Sequence, residues 1–568
     1  MPDGRPRGPA SRRTSPPRHA RPRATLRQYR LRRTAAIGAA VVLVVVIAVV
    51  AHAASGPHAS VAHLRARSAR APQAVAKGGS GRPAVSPPAG THVAPQGVVA
   101  SWVQAENAKP GTRDWVVTKP ATNHQIEGYA DQVSIDAGGH LALYVSTSAP
   151  SYQVMAYRMG YYGGSQGRLV WTSPTTPGKM QPGCPVDTAT RTVQCQWTDP
   201  LQVQTGVAGW PQGDYLFKLT SSDGYQSYVP LTIRDDTSHS AYLINNSVTD
   251  WQAYNEYGHY SLYTGPTRSG GMALADRAYT VSFDRPYDFT EGDGSGSADF
   301  SNEELRMVSA AESLGLDVSY ATDVDLDVRP AMVLQHRAFV ALGHDEYYSL
   351  AMRNGLQAAR DAGVNLLFMG ANSVYRHIRL QPSPLGHDRQ EVDYKDASLD
   401  PVKDPAQATP AAWRAPPNND PESSLLGEMW RCDPVNGDMV IIDPSNWIMA
   451  GTGLAAGAKI TGAISAEYDS YRAADPGPKN VEIVGRSPIT CVGRFDHADT
   501  TYYTAPSGAG VFDSGSIGFI AGLVTDPQPG TPAAYVTTMT KNLLATFGQG
   551  PAGRTHPSVP NASAYPGG

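Results

Sequence analysis

From Ala35 to Ala51 the chain carries no charged or polar side chain, reading AAIGAAVVLVVVIAVVA. His52, Ala53 and Ala54 extend the run to 20 residues. A helix of that length spans about 30 Å, the thickness of a bilayer's hydrocarbon core. Arg27, Arg30, Arg32 and Arg33 stand just before it. Positive charge holds that end in the cytoplasm, so the rest of the chain is sent across. The reading is a transmembrane helix over 34–54 behind a basic cytoplasmic tail over 1–33. That makes a single-pass protein of the cell membrane with its C-terminal bulk outside. A cleaved signal peptide stays open, because Ala51-His52-Ala53 is an acceptable small-x-small cleavage site. Both alternatives export the bulk.

Charge is divided in the same way. Residues 1–33 hold eleven Arg against one acid, Asp3, and 34–97 add five bases and no acid. With a whole-chain formal charge of −3, residues 98–568 carry about −18. An acidic globular part excludes nucleic acid as its partner, since phosphate recognition needs a basic face. Residues 55–97 are Ala, Pro, Gly, Ser and Arg and predict a disordered linker, and 550–568 predict a disordered tail. Outside the cell thiols oxidise, so the four cysteines predict Cys184–Cys195 and Cys432–Cys491, one pairing of three, with free buried thiols as the alternative.

Residues 98–236 alternate short apolar runs with turns. Gln132–Ile135, Leu141–Val145 and Tyr152–Tyr157 predict strands, and Asp214–Leu219 with Tyr228–Ile233 predict a hairpin. The expectation is a β-sandwich. Its aromatics offer stacking surfaces for an envelope glycan, although core packing and inter-domain contact account for them better. From 237 to 549 the pattern changes. Strands are expected at Ser240–Asn245, Val318–Ala321, Ala338–Gly343 and Asn365–Gly370, and helices at Asn302–Leu314 and 349–362. That alternation predicts a doubly wound α/β domain of Rossmann-like or glutamine-amidotransferase-like type, with its site at the C-terminal strand ends. Asp323, Asp325 and Asp327 lack the Gly and distal Glu of a calcium loop and read as a solvated loop.

Two strand-end loops then face one crevice: Gly343-His344-Asp345-Glu346-Tyr347-Tyr348 and Gly370-Ala371-Asn372-Ser373-Val374-Tyr375-Arg376. Each contains Tyr beside polar groups, and phenolate with carboxylate suits a hard cation. The chain has no G-x-S-x-G elbow, no H-E-x-x-H, no phosphate loop and no cysteine in either strand-end loop.

These loops belong to a longer series. Trp251-Gln-Ala-Tyr-Asn255 with Ser261-Leu-Tyr263, Ser282-Phe-Asp-Arg-Pro-Tyr287, Gly343-His-Asp-Glu-Tyr347 and Met369-Gly-Ala-Asn-Ser-Val-Tyr375 come first. Trp447 with Gly451-Thr-Gly-Leu454, Glu467-Tyr-Asp469 and Val511-Phe-Asp-Ser-Gly-Ser-Ile517 follow. In that order they resemble the C-terminal domain of the large (beta) subunit of N,N-dimethylformamidase. The resemblance implies a mononuclear iron(III) held by Tyr347, Tyr375 and Glu467, with Tyr348 competing for the first place. It implies hydrolysis of a C–N amide bond in a small-molecule amide, with His344, Glu346 or Asn372 assisting proton transfer. The chain departs from the family pattern at Asp345, Ala371, Arg376 and Ser465, where Pro, Gly, an aromatic residue and His are expected. Nothing in the sequence fixes an oligomeric state. The competing expectation is a non-catalytic surface protein whose β-sandwich binds glycan.

Overall fold

A computed structural model describes residues 90–206, 209–289 and 297–565. The expected transmembrane helix over 34–54 and the basic tail lie outside those residues. Among the described residues no helix is long and apolar enough to cross a membrane. The structure therefore lends no support to a single-pass membrane location.

At the centre is a seven-stranded sheet. Its order is Val318–Thr322, Tyr242–Asn246, Ala338–His344, Asn365–Ala371, Gly510–Asp513, Arg494–Thr504 and Glu482–Cys491. The first five run parallel, Arg494–Thr504 runs antiparallel to them, and Glu482–Cys491 runs antiparallel to Arg494–Thr504 in turn. All seven residues of Ala338–His344 and of Asn365–Ala371 are buried, as strands covered on both faces must be. Side chains alternate between two cores. Val340, Leu342, Leu367 and Met369 join the helices Leu305–Ser313 and Pro532–Phe547 on one side. Phe339, Ala341, Leu366 and Phe368 meet Met352 and Leu356 of Leu350–Asp361 on the other. Each such large side chain contributes about 2 kcal/mol of apolar burial.

The doubly wound α/β expectation is nevertheless overturned. The sheet is mixed, and strand is the commoner element throughout. A four-stranded sheet (Thr280–Ser282, Gly386–Val392, Arg376–Ser383, Tyr347–Ser349) and the long pair Met429–Val440 with Lys459–Ser470 stand beside it. These strands come from polar stretches without a two-residue apolar period, so their pairing is set by tertiary context. The Asp323 segment also corrects its expectation. It is a helix, Asp323–Val328, closed by reciprocal Thr322 and Asp325 capping bonds, with Asp323 and Asp325 buried.

Before this lie two facing sheets. One has six strands, including Ser151–Met159, Gly213–Ser221 and Gln226–Arg234; the other is Ile126–Ala130, His140–Thr147 and Leu201–Gln204. Val154, Phe217, Leu219 and Leu143 fill the space between them. The segment before residue 98 ends in a paired hairpin, Thr91–Ala94 with Gly97–Ala100, and Val98, Val99 and Val103 pack into the central core with Tyr242 and Leu316. The expected disordered tail is ordered to residue 565, where Asn561 bonds both backbone groups of Ile483. Both expected disulfides form, with Cα separations of 4.2 Å for Cys184–Cys195 and 6.3 Å for Cys432–Cys491.

Candidate functional site

Two glycines let the strand ends meet. Gly343 adopts φ +61°, and a Cβ on its register partner Gly370 would lie 1.6 Å from the Gly343 carbonyl oxygen. Beyond them the loops are joined through backbone. Val374 N–H donates to Asp345 O at 3.0 Å and Arg376 N–H to Glu346 O at 2.8 Å. Tyr347 then pairs with Arg376 in parallel register. Asn372 at φ 62° and Val374 at φ 57° hold left-handed conformations, as does Ala466 at φ 65° beside Glu467. For a β-branched residue this costs on the order of 1–3 kcal/mol, a strain that marks sites where side-chain placement matters.

His344 ends its strand at the centre of a buried polar group. Its Nδ1 lies 3.1 Å from Asp250 Oδ1, on the short helix Val248–Ala253. Its Nε2 lies 3.4 Å from Glu467 Oε1 and 3.6 Å from Glu346 Oε2. Asn372 Nδ2 is 3.5 Å from the same nitrogen. Burial pushes the Asp250 carboxyl well above the usual range, and the charge of Glu346 adds to this. Burial pushes Glu346 upward too, but Arg376, His344, Lys395 and the Tyr263 hydroxyl outweigh it and hold Glu346 low.

A line of hydroxyls leads away from Glu346. Tyr254 and Tyr263 donate to its Oε2 at 3.2 and 3.0 Å, while Arg376 Nε donates to Oε1 at 3.0 Å. Tyr347 donates to Tyr263 Oη at 2.5 Å and accepts from Lys395 Nζ at 3.0 Å. Lys395 also pairs with Asp393 at 3.0 Å, and burial lowers its ammonium to about 8. Tyr347 is fully buried, and burial raises its phenol well above the ordinary value. Tyr375 is half-buried against Trp430, with the Arg376 and Arg414 guanidinium groups 4.7 and 5.1 Å from its ring. Burial raises it as well, and the two arginines partly offset that.

His344, Glu346, Asn372 and Glu467 thus meet within one polar group. Tyr347 borders it through Tyr263, and Tyr375 stands on the adjoining loop. Tyr348 turns away and donates to Asp345 at 2.7 Å. Two phenols and a carboxylate are hard oxygen donors of the type that suits iron(III), while burial raises both phenols and so favours their protonated form. Asp250 and Lys395 are contributors that the sequence reading missed, and Arg376, noted there only as a departure from the family pattern, holds Glu346. Tyr254 and Tyr263 lay within quoted stretches, but neither was singled out. A cavity of about 30 Å³ beside Trp251, Arg285 and Tyr287 has room for little more than one water, and none of these charged groups lines it.

No curated protein matches the chain. Among solved structures, a Paenibacillus sp. cycloisomaltooligosaccharide glucanotransferase, complexed with cycloisomaltoheptaose, is similar over 48% of this chain and 34% of its own. It does so at 9% identity and a TM-score of 0.13, too loose a superposition to indicate a shared fold. The family profile described as N,N-dimethylformamidase beta subunit-like, C-terminal, matches residues 153–532. Those residues include the strand-end loops, the Asp250 helix and the Glu467 strand, and the chain belongs to that family.

Proposed function

We propose that this protein hydrolyses a C–N amide bond of a small molecule at the His344 group. The observation that carries the reading is one imidazole enclosed by Asp250, Glu346 and Glu467 at the ends of parallel strands, in a chain of this family. Tyr347, Tyr375 and Glu467 are the residues that would hold iron(III), which when bound supplies Lewis acidity toward the carbonyl oxygen. Asp250 fixes the ring from Nδ1, so Nε2 faces the carboxylates and is placed to move a proton. Water adds to the carbonyl carbon and gives a proton to His344 Nε2, and as the C–N bond breaks the leaving nitrogen takes that proton. Arg376 and Lys395 hold the charge of Glu346 and the phenol of Tyr347 in place.

Amine release from dimethylformamide and related tertiary amides by the full-length protein tests this. His344→Gln should lower the rate about 100-fold or more, the usual weight of a positioned proton-transfer group. Iron content and a phenolate-to-iron absorption band should fall in Tyr347→Phe and Tyr375→Phe. Equal rates in wild type and His344→Gln would contradict the reading.

A further inference from the structure

The segment Val511-Phe-Asp-Ser-Gly-Ser-Ile517 ends a further parallel strand, Gly510–Asp513, beside Asn365–Ala371. The turn after it is bonded to both stretches that carry site residues. Ser514 N–H donates to Phe368 O at 3.0 Å, and its hydroxyl donates to Gly370 O at 2.9 Å, two residues before Asn372. Gly515 O accepts from Asp469 N–H at 3.0 Å, and Asp469 Oδ1 accepts from Asn372 N–H at 2.9 Å.

Ser516 makes the connection nearest to Glu467. It is fully buried, and three backbone groups converge on its hydroxyl. Ser465 N–H donates to Oγ at 2.9 Å, and the hydroxyl hydrogen is shared between Ser465 O and Glu467 O, each at 3.2 Å. In a regular strand those two carbonyls stand about 6.6 Å apart, so the chain here is curled round one oxygen. Ala466, at φ 65°, makes the curl, an angle that is strained for alanine. The ladder with Met429–Val440 slips at the same point, from Cys432 opposite Tyr468 to Val435 opposite Ala466. The curl leads directly into Glu467, whose Oε1 lies 3.4 Å from His344 Nε2. Ser516 Oγ also accepts from Gly518 N–H at 3.3 Å and caps the short helix Ile517–Ala521, which is the competing account of its role.

We propose that Ser516 is a positioning residue: its hydroxyl holds the left-handed turn at Ala466 and thereby aims the Glu467 carboxylate at the His344 ring. Its effect on rate rests on the reading of that group as a hydrolytic centre, whereas its effect on the backbone does not.

The test uses full-length wild type, Ser516→Ala, Ala466→Gly and the double variant, each checked for intact fold by circular dichroism. Hydrogen exchange read by mass spectrometry should quicken about 10-fold at the Ser465 amide in Ser516→Ala, the weight of one lost hydrogen bond. Faster exchange confined to residues 517–523 would show a helix cap only and overturn the proposal. Amine release from a tertiary amide should fall about 10- to 100-fold in Ser516→Ala, as it does when a reacting group is displaced. Glycine adopts the turn without strain, so the double variant should recover toward the rate of Ala466→Gly alone. Repair of a helix cap would not follow from that second substitution. Unchanged release in Ser516→Ala, or no recovery in the double variant, would each count against the aiming of Glu467. If wild type releases no amine, the hydrolytic reading fails and the exchange pattern alone decides the role of Ser516.

Discussion

His336 is the clearest pH reporter in the molecule. It is 4% exposed, and its Nδ1 lies 2.9 Å from Ser240 O. Burial pulls its ring down to about 4, against about 6.5 in an unfolded chain. The folded state therefore binds fewer protons than the unfolded one between those values. Its contribution is present above the unfolded value and is lost as pH falls from about 6.5 toward 4. Urea unfolding at pH 7 and pH 5 should show about 2 kcal/mol of loss that His336→Asn does not show. An equal loss in both proteins would assign it to carboxylates elsewhere. At this scale the sequence made some site residues legible and hid others. His344, Glu346 and Asn372 could be found because each directly follows an apolar strand run. Lys395 follows a polar strand with no apolar period, and Asp250 sits in a short helix whose whole surface is buried.

Elements meet through two features that substitution can probe. Arg158 on Ser151–Met159 pairs with Glu312 on Leu305–Ser313 at 2.5 and 3.0 Å, both side chains fully buried. Tyr320 and Asn107 also donate to Glu312, at 2.6 and 3.0 Å. Glu312→Gln should cost about 3–5 kcal/mol in denaturant unfolding, because it strands a buried guanidinium. A cost below about 1 kcal/mol would show that the pair tolerates rearrangement. Gly370→Ala places a methyl against the Gly343 carbonyl and should cost about 3 kcal/mol or more, with loss of any His344-dependent activity. Four strands of the parallel core were legible to within a residue or two, since burial on both faces demands continuous apolar runs. The antiparallel strands from 429 to 504 were not, because they pair polar residues along an edge where neighbours decide the structure.

Over the whole molecule, packing and crosslinks decide what the elements alone do not. The hairpin at 91–100 and the ordered residues to 565 pack onto the central core, so neither end of the folded part behaves as a loose spacer. Both disulfides suit an oxidising compartment. Cys432–Cys491 closes a separation of 59 residues and Cys184–Cys195 one of 11. Loop closure then assigns about 4 kcal/mol to the first and about 3 kcal/mol to the second. Paired Cys→Ala variants measured by guanidinium unfolding should keep that order, and a larger loss at Cys184–Cys195 would place local packing above chain entropy. The doubly wound expectation failed at this same scale. Four of the five parallel strands were read, Gly510–Asp513 was not, and the sheets assembled around them depend on contacts between segments far apart in sequence.

The central claim is that the His344 group is a hydrolytic centre. The most direct measurement is single-turnover amine release from a tertiary amide by full-length wild type and by Glu467→Gln, prepared together and shown to be folded alike. The account predicts release by wild type and a loss of at least about 100-fold in the variant. Amine release at the same rate from both proteins would contradict it.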